Sequence, residues 1–282
     1  MKSVVKAYAK VNLFLDITGQ LENGYHTLNT VMQQVNLYDI VTVETTTDDK
    51  IEINCDNPAI PCNEKNIAYK ACKLFSEVLG KNFGAKITIE KHIPVEAGMG
   101  GSSTDGAAVL TALNEIFNLP FTTSKLCEMG AKLGADVPFC ILGGTAVCTG
   151  IGDIMKPVIC MNDYVLAIIK PDFSCSTPTA YKAYDENPVP INTDFEDFVS
   201  ALPYGYEKWS GKMYNVFEKL YNSSEILEVT SALIKSGAAD AILTGSGSAV
   251  FGLFKNKEEA KKALNNINAP FKIIANPISS IN

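Results

Sequence analysis

The 282-residue chain contains no arginine, and all 24 of its basic residues are lysines. Neither a bidentate guanidinium clamp on a phosphate nor an arginine finger can therefore come from this chain. Any anion it binds must be held by main-chain N–H groups, hydroxyls, lysines or a metal. The net charge is −7 and basic runs are absent, which argues against nucleic acid as a partner. None of the eight cysteines forms a C-x-x-C pair, so the spacing of a thiolate metal site is missing. Several lie in apolar segments such as Phe139-Cys140-Ile141 and read as buried, reduced thiols of a cytoplasmic protein. No apolar run approaches membrane-spanning length, and Lys2, Lys6 and Lys10 interrupt any signal-type segment. With 46% hydrophobic and 20% charged residues, the composition is globular and the length suits one large domain or two ordinary ones.

What the chain does have is a glycine-dense stretch: Pro94, Val95, Glu96, Ala97, Gly98, Met99, Gly100, Gly101, Ser102, Ser103 and Thr104. Glycine lets the backbone curl and approach a ligand closely, because no Cβ intervenes. An apolar pattern of helical spacing follows, with Ala107, Leu110, Leu113 and Phe117 on one face. A helix start carries N–H groups without intrahelical partners and the positive end of the dipole. Loop and helix start together make a cradle for phosphate.

The surrounding pattern predicts strands over 4–17, 30–44 (with a break near 36–39), 51–55 and 85–93. Helices are expected over 66–79, 103–117 and 123–133, with a polar loop over 18–26 and a turn over 134–138. Further along, strands over 164–170, 239–244, 249–254 and 271–275 alternate with helices over 177–184, 225–235 and 257–266. Leaving out the insertion, the last part reads β-α-β-β-α-β, the split βαβ arrangement. The expected class is α+β in two domains, 1–158 and 159–282.

Two familiar nucleotide loops do not fit. A P-loop requires Gly-Lys-Ser/Thr, but Asn82 and Met213 follow the two Gly-Lys pairs. The dinucleotide fingerprint requires a third glycine where Ser103 stands, and several strands precede the loop.

In its order of motifs the chain resembles the GHMP kinase superfamily. The matching pieces are Ala7-Tyr8-Ala9-Lys10-Val11-Asn12-Leu13, Gly24-Tyr25-His26, the glycine loop with Asp105, Leu133-Gly134-Ala135-Asp136-Val137-Pro138-Phe139 and Leu243-Thr244-Gly245-Ser246-Gly247. The resemblance implies a ribosomal S5-like N-terminal domain and a ferredoxin-like C-terminal domain. It is narrowest with members that use ATP to phosphorylate the 2-hydroxyl of a cytidyl-diphosphate-linked methylerythritol, in non-mevalonate isoprenoid synthesis. Homoserine- or mevalonate-type kinases and a non-catalytic nucleotide-binding regulator are the alternatives.

Phosphoryl transfer asks the protein for positioning and charge neutralisation, with a group near the acceptor hydroxyl. The resemblance gives that role to Asp136, and to Lys10 the role of pairing with it and leaning on the transferring phosphate. Residues 94–104 would hold ATP, with Mg²⁺ as its ion and no metal ligand assigned. Glu96 should face solvent, because a carboxylate would repel phosphate. Asn12, Tyr25, His26, Thr177 and Tyr181 would bind a small-molecule substrate carrying a cytidine diphosphate. His92 has no functional support and reads as structural, and the 244–248 turn reads as a hairpin connection.

Overall fold

The computed structural model describes residues 1–160, 162–220 and 224–279. The chain forms two compact units, and two long strands, β1 (Lys2–Gln20) and β2 (His26–Thr46), each contribute to both.

The first unit comprises Met1–Ala9, Leu37–Ile93 and Gly100–Gly143. It adds β3 (Ile51–Cys55), α1 (Ile67–Leu79), β4 (Gly84–Glu90), α2 (Gly101–Ile116), α3 (Thr123–Ala131) and α4 (Val137–Leu142). β4 pairs antiparallel with β2, Ile40 opposite Glu90, and parallel with β3, Ile51 opposite Ala85. Period-2 alternation sends Val41, Val43, Ile87 and Ile89 to the buried face, where α1 and α2 cover them with Phe75, Leu110 and Leu113. α1 starts where the Asn66 side chain accepts from the Ala68 N–H at 2.9 Å and stops at Gly80, which takes φ 67°. Small residues on α2 let the two helices approach: a Cβ on Gly106 would lie 3.3 Å from Ile67.

The second unit comprises Lys10–Asn36, Pro94–Met99 and Gly144–Asn282. Its elements are β5 (Thr145–Thr149), β6 (Ile154–Pro157), β7 (Val165–Lys170), α5 (Thr177–Glu186), α6 (Phe195–Ala201), β8 (Tyr214–Asn215), α7 (Ser224–Lys235), β9 (Ala241–Leu243), β10 (Val250–Phe254), α8 (Lys257–Asn265) and β11 (Phe271–Ala275). Four of these strands form an antiparallel sheet in the order β11-β7-β10-β9. With α7 and α8 as its helices, this is the expected split βαβ unit. Leu15 and Ile17 from β1 share its core with Ala167, Ile169, Leu233, Val250 and Phe254. β8 lies parallel to β1, placing Asn215 opposite Leu15, and β5 pairs antiparallel with β2.

Four elements differ from the sequence reading. β2 runs unbroken through 36–39, because its polar residues are anchored. The Asn36 N–H donates to the Asn276 carbonyl at 3.0 Å, and the Asn276 N–H returns to Asn36 Oδ1 at 2.7 Å. Asp39 accepts the N–H groups of His92 and Ile93 at 2.5 and 2.8 Å. The polar loop contracts to 21–25 as both strands lengthen. α2 begins at Gly101, two residues early, because Gly100 takes φ 72° and already ends the extended chain. The 134–138 turn leads directly into α4, a short helix whose entry suits Pro138. Among the described residues, no helix is long and apolar enough to cross a membrane.

Candidate functional site

In the second unit, β1 carries Lys10 and Asn12 into the interior, at 4% and 2% exposure. A buried ammonium is tolerated only where it is fully hydrogen-bonded. Lys10 Nζ donates to Asn12 Oδ1 at 2.8 Å, and the same oxygen accepts the Gly245 N–H at 3.1 Å. Asn12 Nδ2 donates to Thr30 Oγ1 at 2.9 Å, and the Asn12 N–H to Thr244 Oγ1 at 3.0 Å. The Asn12 side chain is thus committed to holding Lys10 and the 244–248 turn. Sequence reading missed Asn215, the buttress of that turn. Its Nδ2 donates to the carbonyls of Leu243 and Gly245 at 2.8 and 2.9 Å. Only a buried asparagine with three converging backbone partners reveals this, and sequence spacing carries no sign of it.

The segment Pro94–Met99 packs against the same turn. The carbonyls of Glu96 and Ala97 accept from Ser248 and Ala249 N–H at 3.3 and 3.2 Å, and the Met99 carbonyl from Lys10 N–H at 3.1 Å. The Gly98 carbonyl takes the Thr244 hydroxyl at 3.4 Å. Four successive carbonyls, from 96 to 99, are therefore engaged by protein donors. Gly98, at φ 72°, comes so close that a Cβ would lie 2.1 Å from the Thr244 carbonyl. Glu96 is exposed, in the direction its charge requires, at φ 53°.

In the first unit, the loop continues into α2. The first α-helical bond is Thr104 N–H to the Gly100 carbonyl, 2.9 Å. The N–H groups of Gly101, Ser102 and Ser103 precede it, and no side chain caps the helix. This is the start an anion requires. Thr104 is committed to the fold, its hydroxyl donating to the Tyr8 carbonyl at 2.7 Å. Asp136 is half-buried at the N-cap position of α4. It makes no side-chain cap bond, and its φ/ψ of −81°/−15° is already helical, so capping does not account for this carboxylate.

The aromatic set forms a third cluster, within the second unit. The His26 ring, only 8% exposed, meets Tyr181 at 4.9 Å between centroids and Tyr184 edge-on at 5.8 Å. Its Nε2 lies 2.7 Å from the Asp185 carboxylate, a partner absent from the sequence reading. Thr177 shares a hydrogen bond with Ser246, Oγ to Oγ 3.0 Å. Tyr25 is 61% exposed on a loop that turns at Gly24. The structure thus brings together His26 and Tyr181, and separately Lys10, Asn12 and the 244–248 turn. His92 is exposed and serves through its backbone.

Two family models match the chain: the GHMP kinases N terminal domain over residues 66–144 and the GHMP kinases C terminal domain over 219–273. A 4-diphosphocytidyl-2-C-methyl-D-erythritol kinase of Alkaliphilus metalliredigens is 40% identical over 276 residues, covering 96% of this chain and 95% of the relative. One from Clostridium botulinum is 42% identical over 92% of this chain and 93% of its own length. The chain belongs to the 4-diphosphocytidyl-2-C-methyl-D-erythritol kinase family of GHMP kinases. A crystal structure of a 4-(cytidine 5'-diphospho)-2C-methyl-D-erythritol kinase superimposes with a TM-score of 0.80 at 30% identity, covering 98% of this chain and 99% of the other. The mevalonate kinase of Methanococcus jannaschii, at TM-score 0.74 and 15% identity over 100% of this chain and 99% of that one, shares the fold. The family fold is the two-domain α+β arrangement expected from the motifs, and membership makes this chain a small-molecule kinase with ATP as phosphate donor.

Proposed function

We propose that this chain transfers the γ-phosphoryl group of ATP to the 2-hydroxyl of 4-diphosphocytidyl-2-C-methyl-D-erythritol, in the non-mevalonate route to isoprenoid precursors. The observation that carries this reading is identity of about 40% over 92–96% of the chain with relatives named for that reaction. The uncapped start of α2 supports the placement of the donor. Backbone amides of 101–103 would receive phosphate oxygens, and the carbonyls of 96–99 are already taken by protein donors. Ser102 and Ser103 add hydroxyl donors at the head of the helix.

Asp136 would orient the acceptor hydroxyl and receive its proton, a role for which a half-buried carboxylate outside any cap is suited. Lys10 would counter the charge that develops on the transferring group. Asn12 would act on the methylerythritol end by fixing Lys10, since its own amide is already committed. Tyr25 would stack on the cytosine, with His26, Tyr181 and Thr177 completing the base and diphosphate contacts. Among the described residues, no group of three His, Cys, Asp or Glu side chains can hold a metal alone. Mg²⁺ therefore enters as the counter-ion of the triphosphate rather than as a resident ion. The divisions 1–158 and 159–282 are proposed as the family's two domains, and the two family matches fall on either side of that line. A cytoplasmic location is proposed with the pathway.

A coupled ADP-release assay tests the reading. ADP should form with the cytidyl substrate and not with free methylerythritol phosphate. Equal rates with both, or none with either, would overturn it.

A further inference from the structure

The first unit holds a buried charge cluster that the proposed chemistry does not use. The Lys91 ammonium, 4% exposed, bonds to Asp39 Oδ2 and, at 2.8 Å, to Asp105 Oδ2. The carboxylates come from β2 and α2, and both are buried. Asp39 is well supplied, since its other oxygen takes the His92 and Ile93 N–H groups. Asp105 is not: its Oδ1 is buried and has no hydrogen-bond partner among the described residues. With both acids ionised, one ammonium faces two carboxylates and the cluster carries a net charge of −1.

Its place matters. Lys91 Nζ lies 3.4 Å from where a Cβ on Gly101 would be, against the first residue of α2. Asp105 follows four residues later, one helical turn of about 5.4 Å below the same end. A net negative cluster opposes an anion at that helix start, and a neutral one does not. Of the two acids, Asp105 has an oxygen ready to carry a proton. The titratable groups facing its carboxyl are Lys91 and Asp39, while α1 presents the apolar Ile67 to the next residue, Gly106.

We propose that Asp105 is a proton-linked positioning residue for the phosphate donor: it holds Lys91 beneath Gly101 and takes up a proton when polyphosphate docks at the start of α2. Protonation leaves the Lys91 charge balanced by Asp39 alone, and the negative field under the phosphates disappears. Burial pushes the Asp105 carboxyl up to about 7, with Lys91 opposing the rise and Asp39 adding to it, so the exchange falls in the neutral range. This inference rests on the reading of the glycine loop as the donor site.

The test is calorimetric titration of the full chain with ADP, without metal, at pH 7.5 in HEPES and in Tris, whose protonation enthalpies differ. A phosphate group about two turns away should raise the proton affinity of Asp105 about tenfold, giving uptake of about half a proton per ADP bound. Asp105→Asn should bind ADP with that uptake abolished, and its KM for ATP should lose the rise with pH between 7 and 8.5 while kcat keeps its profile. Equal proton uptake by the two proteins overturns the proposal and leaves the donor site standing. Absence of ADP binding to the unaltered chain overturns both. If the variant does not fold, carboxyl ¹³C titration of the unaltered chain decides. One aspartate titrating near 7 and moving upward with ADP supports the proposal, and no such movement refutes it.

Discussion

Replacing Gly98 by alanine separates two reasons for a glycine, because Gly80 provides a matched reference. Both residues sit in the left-handed region, at φ 72° and 67°. A Cβ at Gly80, the C-cap of α1, meets nothing within 4 Å, whereas a Cβ at Gly98 would lie 2.1 Å from the Thr244 carbonyl oxygen and 3.1 Å from the Gly247 nitrogen. The left-handed conformation costs alanine about 1 kcal/mol in either place. Gly80→Ala should destabilise by about that amount. At Gly98 the obstacle is backbone, itself held by the Asn12 and Asn215 hydrogen bonds, so relief needs a main-chain shift of more than an ångström. Overpacking of that kind adds about 1–3 kcal/mol. Gly98→Ala should therefore lose about 2–4 kcal/mol and weaken ADP binding as well. Urea denaturation of the two variants beside the parent, read as the shift in midpoint at constant slope, gives the comparison. Equal losses, within about 0.5 kcal/mol, would refute the claim that close approach to the 244–248 turn fixes this glycine.

Asp136→Asn should reduce kcat by about 10²–10⁴ while ADP still binds, since shape is kept and the proton acceptor lost; a near-normal rate would remove Asp136 from its role. Tyr25→Ala should raise KM for the cytidyl substrate about tenfold and leave KM for ATP unchanged, which steady-state kinetics with each substrate varied will check. Glu218→Gln addresses pH. Burial pushes the Glu218 carboxyl up to about 7, against the Leu243 N–H it accepts, and burial pushes Asp240 up to about 6. The folded state then holds these protons more tightly than the unfolded chain, so stability is fullest near pH 4 and declines as pH rises through 6 and 7. Denaturation at pH 5 and pH 8 should show a smaller decline for Glu218→Gln than for the parent. An unchanged difference would exclude Glu218 as a source of it.

Elements with local signals were legible in the sequence. α1 announces itself by Asn66 and Gly80 at its two ends, and the split βαβ unit by four short apolar strands between amphipathic helices. The glycine loop could be read because its chemistry is contiguous. What escaped depends on residues far apart in sequence. The apparent break in β2 reflected Asn36 and Asp39, whose partners lie 240 and 53 residues away. Asp185 lies 159 residues from His26, and Asn215 28 residues from the Leu243 carbonyl it supports. The cluster around Lys91 hid for a different reason: each of its residues has an ordinary local explanation, as a polar break, a strand-end lysine and a helix-start aspartate. Only their convergence in a buried place gives them meaning.

The two long opening strands bear on how this protein can be divided. A fragment beginning at residue 159 would lack 10–36, and with it Leu15 and Ile17 from the core beneath its own sheet. Such a piece should be insoluble by itself and rescued by co-expression of the missing N-terminal portion, as split reporters are. Gene fusions and truncations of this kinase should therefore preserve both opening strands intact, because neither half owns the material it needs to fold.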